Sequence, residues 1–268
     1  MKDKVVLITG GSSGIGEALA YEFGTKGARI AVTGRNQDAL DKTTRGLKSR
    51  GIEAIGIQAD ASLEEDNKRT VDGVIERFGK LDIVIANAGI SMRALIEDVD
   101  LDVVKKVMNI NFNGALYIIK YALPHIIEAK GSVIGISSIA GFRGLPARVG
   151  YSASKFALNG LLEVLRTEML HRGVHVLTAY PGFTATNIRE RNLDAHGNPQ
   201  GKTPRDESKS MSAEECAHHI YRATVKRRRM LVLTFEGKAI RLINKFYPSL
   251  ADRLTYNFLA KEKDSPFK

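Results

Sequence analysis

One cysteine, Cys216, is all the chain has in 268 residues. No intrachain disulfide framework can therefore support the fold, and this usage fits a reducing compartment. No uninterrupted apolar run approaches the ~20 residues that a membrane-spanning helix needs. The first strand-like run, Lys4 to Thr9, starts too close to Met1 to leave room for the charged and apolar parts of a secretory signal. Internal repeats and low-complexity segments are missing too. These shortages point to a cytoplasmic protein. The length suits one large α/β domain rather than two full ones. What the chain has in excess is positive charge: 40 Lys and Arg against 30 Asp and Glu leave a net +10. Much of it lies late, from Lys226-Arg227-Arg228-Arg229 onward. Such a surplus suits an anionic ligand or surface, but no compact nucleic-acid motif accompanies it, so no nucleic-acid partner is expected.

Apolar runs alternate with helical patterns along most of the chain. Val5-Val6-Leu7-Ile8 reads as a buried strand, followed by strands over 29–33, 52–58, 82–86, 132–137, 174–179 and 230–235. Helices are expected over 17–26, 37–50, 63–78, around 102–127, over 151–171 and over 212–226, the last with Ser212 and Glu215 as a capping box. The alternation predicts a single Rossmann-like, doubly wound parallel sheet with helices on both faces, its ligand crevice at the carboxyl ends of the strands. Residues 1–236 form this dinucleotide-binding and catalytic domain. Residues 184–212, polar and containing Gly197, Pro199, Gly201 and Pro204, are expected to form a substrate lid.

Between the first strand and first helix stands Thr9-Gly10-Gly11-Ser12-Ser13-Gly14-Ile15-Gly16. Glycines there permit a tight turn and close backbone approach to a pyrophosphate, and the following helix offers free N–H groups to the anion. At the end of the second strand, where an NAD site wants a carboxylate, the chain has Gly34-Arg35-Asn36. Arg35 would pair with a 2′-phosphate, so NADP is preferred over NAD. Further on, Tyr151-Ser152-Ala153-Ser154-Lys155 sets a tyrosine and a lysine on one helix face. A nearby ammonium stabilises a phenolate, which makes tyrosine usable as an acid/base near neutral pH. Ser138, thirteen residues before Tyr151, offers a hydroxyl to the substrate oxygen.

In order, TGGSSGIG at 9–16, Asp60, NAG at 87–89, Asn111, Ser138, YSASK at 151–155, and Pro181-Gly182 with Thr186 resemble the short-chain dehydrogenase/reductase family over about residues 4 to 190. The resemblance implies that Tyr151 is the proton donor or acceptor and that Lys155 lowers its pKa and bonds the nicotinamide ribose. It implies that Ser138 orients the carbonyl and that Asn111 holds a water of the proton relay. Gly10, Ser12, Ser13, Gly14, Ile15 and Gly16 would cradle the pyrophosphate, with Arg35 and Asn36 at the adenosine ribose. Asp60 and Ala61 would flank the adenine, and Asn87, Ala88 and Gly89 the adenine-ribose side. Pro181, Gly182, Thr184 and Thr186 would meet the nicotinamide carboxamide. Many NADP-preferring members carry a basic residue just before the second glycine; here it is Ser13, so the preference rests on Arg35.

Ser138, Tyr151, Arg148 and Phe183 are the expected substrate contacts. With Phe142, Leu145, Pro146 and Ile188 nearby, they suggest a hydrophobic, lipid- or steroid-like ketone or secondary alcohol. The six histidines show no ligand spacing with carboxylates or Cys216, so no metal is expected. An alternative reading is a nucleotide-sensing binding protein with little turnover; the Asn111, Ser138, Tyr151 and Lys155 set favours the enzyme. The resemblance further implies a homodimer or homotetramer built through the helices near 102–127 and 151–171. Residues 237–268 form a basic amphipathic extension, with a helix over 237–247 that Pro248 ends. Lys238, Arg241, Asn244 and Lys245 share one side and Ala239, Ile240, Leu242, Ile243, Phe246 and Tyr247 the other. Such a helix suits a membrane surface, its own domain or a partner subunit, and the three stay open.

Overall fold

Every residue of the first apolar run, β1 (Val5–Ile8), is buried on both faces of the sheet. Val6 and Ile8 face one layer of helices and Val5 and Leu7 the other, the twofold alternation of a strand covered on both sides. The computed structural model describes residues 1–185, 188, 191–201, 210–261, 265 and 267. Parallel to β1 lie β2 (Arg29–Gly34), β3 (Ala54–Gln58), β4 (Ile83–Ala86), β5 (Ser132–Ile136), β6 (His175–Tyr180) and β7 (Met230–Val232). They are ordered β3-β2-β1-β4-β5-β6-β7. The order reverses between β1 and β4, which opens a crevice at their carboxyl ends.

One face of the sheet carries α1 (Gly14–Thr25), α2 (Gln37–Lys48) and α7 (Ala213–Val225), with Leu19, Phe23, Leu40 and Ile220 packed on Val6 and Ile8. The other face carries α3 (Glu64–Phe78), α5 (Gly114–Glu128) and α6 (Val149–Glu168), with Val71, Phe78, Ile118 and Leu162 packed on Val5 and Leu7. A short α4 (Leu101–Met108) precedes α5. The capping box holds: the Glu215 amide donates to Ser212 Oγ at 3.0 Å. β3 starts later than its apolar pattern does. Ile52 is spent closing the turn after α2, where its amide donates to Leu47 O and its side chain fills the space over Gly24.

Two segments hold more structure than their sequence patterns show. The loop after Phe183 is partly built: Leu193 is buried and forms bridges with Met92 and Pro199, and the Asp194 carboxylate accepts from the amides of His196 and Asn198. Thr186 and residues 202–209 of the expected lid lie outside the described residues. At the C-terminus, Pro248 stops α8 (Phe235–Phe246) and also opens a second helix, α9 (Pro248–Ala260). Proline is well suited to a first helical position because its missing N–H would have no intrahelical partner there. α8 and α9 pack together as a hairpin, with Ala251, Thr255 and Leu259 on the buried stripe of α9.

Candidate active site

The turn from β1 into α1 is shaped by what it excludes. Gly10 and Gly14 take positive φ, at 64° and 56°. A Cβ at Gly16 would lie 2.3 Å from Gly10 O, so any side chain there would collide with backbone. Ser13 caps α1 in an extended conformation with no side-chain cap bond, leaving first-turn N–H groups for another acceptor. The segment 87–89 is stapled to this turn. Thr9 Oγ1 accepts from the amides of Asn87 and Ala88, both at 3.0 Å, and Asn87 Nδ2 donates to Thr9 O and Gly10 O. A backbone-lined concavity with N–H groups to spare fits a dinucleotide pyrophosphate.

Arg35 follows β2 directly. Its carbonyl accepts from Gln58 Nε2 at 3.0 Å, and its guanidinium has no hydrogen-bond or ion-pair partner among the described residues. Asn36 Oδ1 caps α2 by accepting from the Ala39 amide. Partial burial pushes the Asp60 carboxyl up. Hydrogen bonds from the Ser62 hydroxyl and amide, with the Arg35 and Lys106 charges, outweigh it and hold the group below its ordinary range.

The reacting end is held by side chains. Between α4 and α5 the helix widens to a π turn, Asn109–Asn113, of the kind that often marks functional positions. Asn111 stands in it, 1% exposed. Its Oδ1 accepts from the Ile90 amide at 2.8 Å, and its Nδ2 donates to Ile90 O at 2.9 Å and Ser154 Oγ at 3.0 Å. Lys155 is 4% exposed, and its Nζ donates to Ile136 O at 2.8 Å and lies 5.7 Å from the Tyr151 ring centre. Burial alone lowers its pKa to about 8. A Cβ at Gly89 would sit 3.2 Å from Asn111 Oδ1 and 3.7 Å from Lys155 Nζ, so the 87–89 segment, Asn111 and Lys155 meet at one point.

The two serines after β5 are told apart by burial. Ser137 is buried and donates to Asn159 Oδ1 at 2.8 Å. Ser138 is half-buried at the head of a 3-10 turn, Ile139–Gly141, its Oγ accepting from the Ala140 amide at 3.2 Å. Arg148 Nη1 turns back to Ala147 O, and the same carbonyl accepts from the Ala94 amide, joining the 141–149 loop to the 91–95 loop. Thr184 is buried, with its hydroxyl on Gly182 O.

Several contacts were beyond sequence reasoning. A Cβ at Gly182 would be 2.3 Å from Thr234 Cγ2, at the cap of α8. Gly237 packs against Ile139, Asn244 reaches Phe142 and Arg143, and Phe258 stacks on Phe183 at 6.1 Å. The amphipathic pattern puts Asn244 with the basic residues, yet it faces the domain. No local motif signals these residues, because their partners are about 50 to 100 positions away in sequence.

A family model described as short chain dehydrogenase matches residues 4–196. An "11-beta-hydroxysteroid dehydrogenase-like 2" protein of Arabidopsis thaliana is 38% identical over 256 residues, covering 94% of this chain and 80% of its own. In structure, the chain is similar to a short chain dehydrogenase/reductase from Burkholderia phymatum solved in complex with NAD. The TM-score is 0.84 at 22% identity, covering 93% of this chain and 95% of that one. It is also similar to an alcohol dehydrogenase from the archaeon Thermococcus sibiricus complexed with 5-hydroxy-NADP. That TM-score is 0.76 at 26% identity, covering 86% of this chain and 95% of that one. The chain belongs to the short-chain dehydrogenase/reductase family of oxidoreductases.

Proposed function

We propose that the protein transfers a hydride between NADP(H) and a hydrophobic ketone or secondary alcohol, with Tyr151 as its acid/base. The observation that carries the reading is the buried Lys155 ammonium one helical turn from Tyr151, fixed against Ile136 O beside Asn111 and Gly89. Its charge stabilises the Tyr151 phenolate. In the reducing direction Tyr151 gives its proton to the carbonyl oxygen as that oxygen gains charge, and Ser138 donates a hydrogen bond to the same oxygen. Lys155 then returns a proton to Tyr151 and is itself reprotonated from solvent, through a water that Asn111 would hold. In the oxidising direction the phenolate takes the alcohol proton. Bound NADP(H) supplies or accepts the hydride. The Gly10–Gly16 turn, the 87–89 segment, Asp60, Ala61 and the 181–184 loop would hold the dinucleotide, and the uncommitted Arg35 guanidinium would take its 2′-phosphate.

Phe142, Leu145 and Phe183 beside the site, and the hydroxysteroid name of the Arabidopsis relative, support an apolar substrate. The test is a panel of steroid, long-chain and small cyclic ketones assayed with NADPH and NADH in parallel. Turnover of the apolar ketones with NADPH is expected. Turnover confined to small polar sugars, or faster with NADH, would overturn the substrate or the cofactor assignment respectively.

Two surfaces support a reading of where the protein acts and how it assembles. No helix among the described residues is long and apolar enough to cross a membrane. On the hairpin, however, Leu242, Phe246, Leu250 and Leu254 are exposed (61, 59, 46 and 42%), with Lys238, Arg241, Lys245 and Arg253 around them. An apolar stripe edged with cations suits an anionic bilayer, which would make the protein cytoplasmic and peripheral to a membrane. Flotation with anionic but not zwitterionic vesicles, lost in Leu242→Glu/Phe246→Glu, is the expected result. Dissociation of a dimer by that variant would instead assign the face to a second copy. A separate apolar groove between α5 and α6, lined by Ile119, Leu123, Pro124, Leu161 and Val164, supports a homo-oligomer through those helices. Light scattering should return a dimer or tetramer mass.

A further inference from the structure

We propose that Arg143 is a positioning residue which, through Asn244 and Asp252, makes the α8–α9 hairpin the brace of both substrate loops. Arg143 lies five residues after Ser138, and its side chain is 15% exposed. Nη1 donates to Asn244 Oδ1 on α8 at 3.0 Å and Nη2 to Asp252 Oδ1 on α9 at 2.5 Å. Nε is buried without an acceptor among the described residues, so these two bonds are the whole polar hold on the guanidinium. Asn244 closes the arrangement by donating its Nδ2 to Phe142 O at 3.0 Å. The planar fork sends separate N–H groups to the two helices, a geometry that a compact ammonium does not reproduce.

The loop needs such a hold. The Phe142 and Arg143 amides both return to Ile139 O, and the next amide held along the loop is Leu145 N, on Ser152 Oγ at 3.1 Å. Gly144 stands in open space between them. Ser138 sits at the root of this loop, and the Gly141 amide donates to Ser138 O. On the opposite side, Phe258 of α9 stacks on Phe183, and Thr234 at the cap of α8 fills the space over Gly182. One hairpin thus grips the segment after Ser138 and the segment after Pro181. Loosening it misplaces the substrate against Ser138 and Tyr151 without touching the phosphate turn between β1 and α1.

The kinetic part of this inference rests on the carbonyl-reductase reading above, and the test separates the two. Amide hydrogen exchange over residues 139–147 is measured in full-length wild type, Arg143→Ala, Arg143→Lys and Asp252→Ala. Alongside it, kcat and KM for a tetracyclic steroid ketone and for cyclohexanone, and the NADPH dissociation constant, are determined. Arg143→Ala should speed exchange in that segment and cut kcat/KM for the steroid ketone by roughly 10- to 100-fold. The loss should fall mainly in KM, be smaller for cyclohexanone, and exceed any change in NADPH affinity, because the phosphate turn between β1 and α1 is untouched. Arg143→Lys should recover little. Unchanged exchange in Arg143→Ala overturns the brace, as does an equal loss of NADPH binding and turnover that tracks a lower Tm. If wild type reduces no ketone, the substrate reading fails, and the exchange measurement still decides the brace.

Discussion

Asn111 and Lys155 are enclosed, and each polar atom they use is paired with the backbone of Ile90 or Ile136 or with Ser154. The α8–α9 hairpin is the reverse. Phe235, Leu242, Phe246 and Tyr247 stand in solvent, and polar side-chain contacts with the domain run through Arg143, Asn244 and Asp252. The first region spends burial and hydrogen bonds on fixing charge where a proton must move. The second spends few contacts and leaves much apolar surface uncovered. The difference separates two tasks: the acid/base group needs one arrangement whatever the substrate, whereas substrate loops need a support that differs with the substrate.

The largest way to sharpen that contrast is Tyr151→Phe. It removes one hydroxyl from the enclosed region, and turnover should fall about 10²- to 10⁴-fold while NADPH still binds, measured by initial rates and by fluorescence titration. Arg35→Ala comes next. Losing a charge-assisted contact worth roughly 1.5–3 kcal/mol should lower the NADPH-to-NADH preference by about 10- to 100-fold, read as a ratio of kcat/KM values.

Lys155→Met sets function against stability. Lys155 titrates near 8 in the fold, against 10.5 when free of the fold's burial. Below pH 8 the ammonium is charged in folded and unfolded chains alike, so its desolvation cost is fully present. Between about pH 8 and 10.5 only the folded chain has lost the proton, and stability rises as that cost disappears. The shift corresponds to on the order of 3 kcal/mol. The lost bond to Ile136 O offsets part of this, so Lys155→Met should be inactive yet roughly 1–2 kcal/mol more stable at pH 7, with the gain gone by about pH 10 in urea melts. In wild type, the same titration should make kcat/KM for ketone reduction fall as pH rises through about 8. The smallest effect belongs to the hairpin's outer face. Leu242→Glu/Phe246→Glu should shift unfolding by no more than about 0.5 kcal/mol per site, because neither side chain is buried. A large loss of stability there would break the contrast.

Much of this was legible in the residues. The β1 run had to be covered on both faces because it has no polar side chain to spare, and the alternation with helices dictates a parallel sheet. Gly16 is required by a local collision with Gly10 O, and Tyr151 and Lys155 share a helix face by spacing alone. Local rules reach such features because both partners lie within a few residues. The thirteen-residue spacing to Tyr151 picks out Ser138, but the tertiary structure alone decided where Ser137 goes, since it meets Asn159, and what holds Lys155, since a carbonyl such as Ile136 O carries no residue-specific signal. It decided the fate of the tail as well. Pro248 reads as a stop but serves equally as a first helical residue, and Asn244 faces Phe142 and Arg143 only because the chain has first been folded across about a hundred positions.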